Sequence, residues 1–116
     1  MKARVKMFKR ENRLARGVKF NNSCNFNTAE FALKEKKNGL LLNRFGIVVS
    51  KKIDKRAVVR NRIKRIFRQV LSDLNKNMVP GHDILFITRI GVLDKTKEEN
   101  YGIIKNALEK AGLIKK

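Results

Sequence analysis

The run Lys55-Arg56-Ala57-Val58-Val59-Arg60-Asn61-Arg62-Ile63-Lys64-Arg65-Ile66-Phe67-Arg68 restricts what this chain can fold into more than any other stretch. Wound as an α-helix at about 3.6 residues per turn, it places Val59, Ile63, Ile66, Phe67, Val70 and Leu74 on one stripe. That spacing, i, i+3, i+4, i+7, belongs to a helix that buries one face. Arg60, Asn61, Lys64, Arg65 and Arg68 fall on the opposite arc, with Arg62 at its edge. The helix should run to about Lys76, tied to a core by its stripe and presenting a nearly continuous arc of cations.

That arc carries a cost. The i, i+4 pairs Arg56–Arg60, Arg60–Lys64 and Lys64–Arg68 repel by roughly 0.2–0.5 kcal/mol each on an isolated helix. No Asp or Glu interrupts the sequence from Lys55 to Leu71. A helix selected for stability alone would alternate its signs. This one is suited to a polyanion that supplies the missing negative charge, and a dense Arg/Lys face is the electrostatic footprint of nucleic-acid binding. The plainer reading is a solvated basic face.

The charge of the whole chain points the same way. Net charge is +19 over 116 residues. Residues 1–72 hold 21 Lys/Arg against 4 Asp/Glu, whereas residues 73–116 hold 8 against 6. So one part faces a polyanion while the rest completes a single domain, residues 1–116. Cys24 is the one cysteine, which leaves no internal disulfide and fits a reducing cytoplasm. It reads as a small filler. His82 is the one histidine, set in Pro80-Gly81-His82-Asp83, and reads as a turn residue. A Cys/His metal cluster is not available. The basic N-terminus has no apolar core like that of a signal peptide, and no apolar run reaches membrane-spanning length.

Two strands flank the helix. Arg44–Ser50 is short, β-branched and apolar on both faces, as a central strand is. Asp83–Arg89 has the same character. Strand, helix, strand makes a βαβ crossover with parallel neighbours, and pattern alone predicts the right-handed form. Asp54 is a candidate N-cap for the helix. Residues 27–37 are ambiguous. Propensity favours a helix capped by Asn27 or Thr28, while the alternation of Ala29, Phe31 and Leu33 allows a half-buried strand. Asn38-Gly39 is a turn signal. Thr96 is a candidate cap for a last helix, with Glu98 and Glu99 in its first turn, Ile103, Ile104, Ala107 and Leu108 on its buried face and Gly112 at its end. Residues 1–26 read as a basic arm, either mobile or a short helix.

Ser50-Lys51-Lys52, followed by Ala57-Val58-Val59-Arg60-Asn61-Arg62-Ile63-Lys64-Arg65, closely resembles the signature of the bacterial ribonuclease P protein subunit. Weaker agreement extends from about Phe31 to the C-terminus. The resemblance implies an α+β fold, an α-β sandwich like that of a ribosomal protein, with a small mixed sheet, a strand at 27–37 and a left-handed crossover. It implies that a catalytic RNA is bound through Ser50, Lys51, Lys52, Arg60, Asn61, Arg62, Lys64, Arg65 and Arg68, with Arg56 in the same basic run. It also implies that the 5′ leader of precursor tRNA lies in a cleft between the helix and the open sheet face, where Phe20, Phe31 and Lys34 are the candidate contacts. The RNA, with magnesium, would cut. The family's strand aromatic appears here as Lys34, and its N-terminal aromatic pair is absent, so leader contacts should be more electrostatic.

Chemistry agrees with a binding role. Ten acidic residues are scattered, and only Glu98-Glu99 are adjacent. Two-metal phosphoryl chemistry needs several clustered carboxylates, and there is no Gly-rich phosphate loop before a helix. No active site, tightly bound cofactor, metal site or small-molecule substrate is expected in the chain itself. Two other classes fit the charge. One is a ribosomal or other structural RNA-binding protein. The other is a DNA-binding module with the helix in the major groove. The apolar stripe suits a helix packed on a sheet, and no second helix precedes it at helix-turn-helix spacing.

Overall fold

The computed structural model describes residues 12–14, 24–93 and 95–114. Four strands, β1 (Cys24–Asn27), β2 (Phe31–Lys37), β3 (Arg44–Val48) and β4 (His82–Thr88), form one sheet in the order β1-β2-β4-β3. β2 pairs antiparallel with β1 and β4, and β3 pairs parallel with β4. The long helix α1 (Ala57–Leu74) makes the connection between these parallel neighbours, and α2 (Lys97–Lys110) packs against α1. The α+β class read from the sequence is the observed one.

Alternation along the strands separates two faces. Phe31, Leu33, Ile84, Phe86 and Phe45 point to the helices and are buried. From α1 come Ile63, Phe67, Val70, Leu71 and Leu74, and from α2 come Ile104, Ala107 and Leu108. Phe31, Phe67 and Phe86 meet edge to face, with centroids 5.9, 5.1 and 5.6 Å apart. Each such pair contributes about 0.5–1.5 kcal/mol beyond the area it buries. The other face carries Ala32, Lys34, Lys36, Leu85, Ile87, Arg44, Gly46 and Val48, with no helix assigned to it among the described residues.

Several expectations change. Residues 27–37 resolve to a strand from Phe31, preceded by a turn in which Thr28 Oγ1 accepts from the Glu30 and Phe31 amides at 3.2 and 3.0 Å. Cys24–Asn27 is a further strand rather than part of an arm; the rest of the 1–26 reading, apart from residues 12–14, lies outside the described residues, as does the Cys24 side chain. β3 is an edge strand, not a central one. Its apolar character has a different cause: Arg13 bridges Phe45 in parallel, and the Leu14 amide donates to Phe45 O at 2.9 Å. Leu14 also lies over Gly46, where an added Cβ would stand 3.1 Å from Leu14 Cδ2 and 3.0 Å from Leu85 Cδ1. So β3 is covered on its outer edge by residues distant in sequence.

His82 begins β4 instead of lying in the turn; Gly81, with φ of 89°, takes the turn. The His82 amide donates to Asn43 Oδ1 at 2.9 Å, and its ring Nε2 is 4.0 Å from Glu35 Oε1. Next to it Asp83 is 1% exposed. Arg44 donates to both its oxygens at 2.7 Å, and Asn38 Nδ2 donates at 3.0 Å. Burial pushes the Asp83 carboxyl up, but the bonds from Arg44 and Asn38 outweigh it and hold it below the usual carboxylate range.

Candidate RNA interface

The basic surface begins where β3 ends. Val49 is buried, and Ser50, Lys51 and Lys52 are exposed in a turn closed by the Ile53 amide on Ser50 O at 3.0 Å. Asp54 does not cap α1. The N-cap is Arg56, whose side chain makes no capping bond to the helix, and the first turn holds no acid. Asp54 instead accepts from the Arg56 amide at 2.8 Å and from its guanidinium at 3.1 and 3.0 Å. These bonds, side chain first, bring the Asp54 carboxyl down to about 2 and raise the Arg56 guanidinium. The acid just before the basic run is therefore committed to Arg56.

Asn61, Arg62 and Arg65 are exposed, together with Val58, which is 74% exposed. Arg56, Val58, Val59, Asn61, Arg62 and Arg65 line a shallow concavity of about 420 Å³. Lys64 and Arg68 lie half-buried at one flank. Arg60 departs from the expected arc. It is half-buried, and its Nη1 donates to the carbonyls of Asp54 and Lys55 at 3.0 and 2.8 Å, holding the incoming loop against the helix. The helical wheel misplaced Arg60 because it omitted Leu71. This residue is fully buried and extends the series Ile63, Phe67, Leu71, so the buried stripe turns toward Arg60 and away from Arg62. Arg62 is correspondingly on the exposed arc, not at its edge. Among the described residues no carboxylate pairs with Arg62, Lys64, Arg65 or Arg68.

The three cleft candidates separate. Phe31 is 0% exposed within the ring trio and is closed to any ligand, because alternation points it at α1. Lys34 is half-buried on the open face, beside Asn25 and Leu85. Phe20 lies outside the described residues. Acidic side chains are dispersed into structural roles: Asp83 with Arg44, Asp54 with Arg56, Asp73 accepting from Tyr101 at 2.8 Å and Glu99 in the cap of α2. Among the described residues no three His, Cys, Asp or Glu gather as metal ligands, and no helix is long and apolar enough to cross a membrane.

Residues 8–112 match the family model for ribonuclease P. The ribonuclease P protein component of Caldanaerobacter subterraneus is 43% identical over 79 residues, covering 68% of this chain and 62% of that protein. The component of Clostridium acetobutylicum is 34% identical over 111 residues, covering 90% and 92%. The solved structure of the Staphylococcus aureus ribonuclease P protein overlays with a TM-score of 0.74 at 25% identity, covering 96% and 98%. Sequence match, strand order and the unpaired basic helix agree, and the chain belongs to the ribonuclease P protein family.

Proposed function

We propose that this protein is the RNA-binding, non-catalytic subunit of a bacterial ribonuclease P, working in the cytoplasm. The catalytic RNA is held by Ser50, Lys51, Lys52 and the exposed side of α1, chiefly Asn61, Arg62, Lys64, Arg65 and Arg68. Arg56 and Arg60 shape that surface, through Asp54 and the loop carbonyls respectively. The 5′ leader of precursor tRNA lies on the open sheet face near Lys34. Cleavage is assigned to the RNA partner and its magnesium, since among the described residues no acids gather into a group that could hold a metal ion. The observation that carries this reading is the group of cations on α1 with no carboxylate partner among the described residues. Arg is suited to it because its guanidinium holds two phosphate oxygens at once.

The test is reconstitution. Added to a bacterial catalytic RNA at low magnesium, the protein should restore removal of the leader from precursor tRNA, and alone it should cut nothing. A ribosomal or other structural RNA-binding protein would bind RNA and leave the cleavage rate unchanged. Metal-dependent cutting by the RNA-free protein would overturn the assignment of chemistry to the RNA.

A further inference from the structure

The end of the sheet away from Lys51 and Lys52 carries a feature that the RNA surface does not use. Here β2 finishes, β3 and β4 begin, and residues 38–43 join β2 to β3. Two leucines stand in water at the tip of this loop: Leu41 is 96% exposed and Leu40 46%. Loop tips are ordinarily the mobile part of a fold.

This tip is fixed. Asn38 Oδ1 accepts from the Leu40 amide at 2.8 Å, and Asn38 Nδ2 donates to Leu42 O at 3.1 Å and to Asp83 Oδ1 at 3.0 Å. The Asn38 amide donates to Gly81 O at 2.9 Å. Gly39 has φ of 74°, and a Cβ on Gly81 would stand 3.1 Å from Leu40 O. Asn43, 2% exposed, closes the far side. Its Nδ2 donates to Asn75 Oδ1 at 3.2 Å, its Oδ1 accepts from the His82 amide at 2.9 Å, and its carbonyl accepts from Asn12 Nδ2 at 2.8 Å. A single surface leucine needs no explanation. Two neighbours displayed by a loop tied down in this way form a preset anchor, which loses little entropy on binding.

The surroundings select the occupant. Lys37 ends β2, is exposed and has no carboxylate partner among the described residues. Lys76 follows Asn75; its side chain is 72% exposed and lies 3.7 Å from Asp73. A second copy would bring the same lysines and a net charge of +19 against them. RNA would find no guanidinium in residues 38–43, and both Asn side chains there are spent inside the fold. Two leucines carry fewer carbons than one myristoyl chain, which itself gives only marginal membrane binding. What complements a fixed aliphatic knob flanked by ammonium groups is an apolar socket edged with carboxylates.

We propose that Leu40 and Leu41 are the anchor by which this protein docks on an acidic partner protein, the leucines entering an apolar socket while Lys37 and Lys76 face carboxylates at its rim. The contact is small, in the range of transient interfaces. The 18 residues of α1, at about 1.5 Å each, set this end roughly 27 Å from the Arg56 cap, so the partner and the RNA bind together.

The test introduces benzoylphenylalanine at position 41 of the full chain in its own bacterial cells, with the same probe at position 105, exposed on α2, as the control. Light should join position 41, and not position 105, to one protein, identified by mass. That protein, purified and titrated with the chain bound to its catalytic RNA, should bind Leu41→Ser about 10- to 150-fold more weakly, the range for one buried leucine. Wild-type binding should weaken as salt rises, and the paired reversal Lys37→Glu with Lys76→Glu should make it strengthen instead. Leu41→Ser should melt as the wild type does, because the side chain is already in water, and should leave cleavage of precursor tRNA unchanged. Cross-links to RNA, to lipid, to a second copy, equally from both positions or to nothing would overturn the proposal. So would a captured protein whose affinity ignores Leu41→Ser or whose salt response ignores the charge reversal. Loss of cleavage in Leu41→Ser would move the loop into the RNA surface and overturn it as well.

Discussion

The two helices treat their ends and their charges in opposite ways. α2 is closed at both ends. Thr96 Oγ1 accepts from the Glu99 amide at 3.1 Å, and Glu99 Oε1 accepts from the Thr96 amide at 2.9 Å, a reciprocal capping box. At its other end Gly112, with φ of 76°, allows the Leu113 amide to reach Leu108 O at 2.9 Å and its own amide to reach Glu109 O at 3.1 Å. α1 begins without a side-chain cap and without a first-turn acid, and among the described residues its Arg62, Lys64, Arg65 and Arg68 have no carboxylate partner. α2 is made to complete the fold. α1 gives up local stability on one side and regains it through burial on the other.

The largest expected effect is on the buried side of α1. Phe67→Ala should lower unfolding free energy by roughly 3–5 kcal/mol, because it opens the ring trio at its centre. Chemical denaturation checks this. A change under about 1 kcal/mol would mean that α1 is not held by its stripe.

The Arg44–Asp83 pair gives the contrasting case of a partnered cation. Arg44→Ala strands a buried carboxylate and should destabilise by roughly 3–5 kcal/mol near neutral pH. Asp83 has a lowered folded pKa, so its contribution is complete above the ordinary Asp value of about 3.9 and is lost as pH falls through the folded value. The stability gap between wild type and Arg44→Ala should therefore narrow in acid. A gap constant with pH would remove the ion pair from the account.

Unpartnered cations should behave in reverse. Arg62→Ala and Arg65→Ala should leave melting unchanged, and each should cost roughly 1.5–3 kcal/mol of RNA binding as a charge-assisted contact. Each should also flatten the salt dependence by about 0.7 per phosphate for single strands, whereas Asn61→Ala should weaken binding without that change. Severe melting in Arg65→Ala would make it a structural ion-pair partner and erase the contrast with Arg44.

The two N-termini separate at a smaller scale. Thr96→Ala should cost α2 about 1 kcal/mol. Adding an acid to α1 by Val58→Glu should raise stability by roughly 0.3–1 kcal/mol through the helix dipole while weakening RNA binding. A first-turn acid that strengthened RNA binding would contradict the placement of the polyanion beside this turn.

What was legible in the sequence follows from local periodicity and composition. The stripe of α1, the strand character of 44–50 and 83–89, the Thr96 cap and the Gly112 stop were readable because each depends on spacing or on one residue's conformational preference. The site's polarity was readable because no acid lies between Lys55 and Leu71. Periodicity left three matters open, each settled by neighbours far along the chain. Residues 31–37 are a strand because β1 and β4 pair with them on both sides. β3 is an edge strand whose outer side is covered by residues 12–14. Phe31 is core and not cleft because the register with β4 sets it on the α1 side, opposite Thr88. Within α1, a wheel that included Leu71 would have placed Arg60 beside the buried stripe, but its partners are loop carbonyls that come near only once the chain has turned out of β3. A sequence fixes how residues repeat, but the direction a repeating face takes depends on which other surface removes it from water.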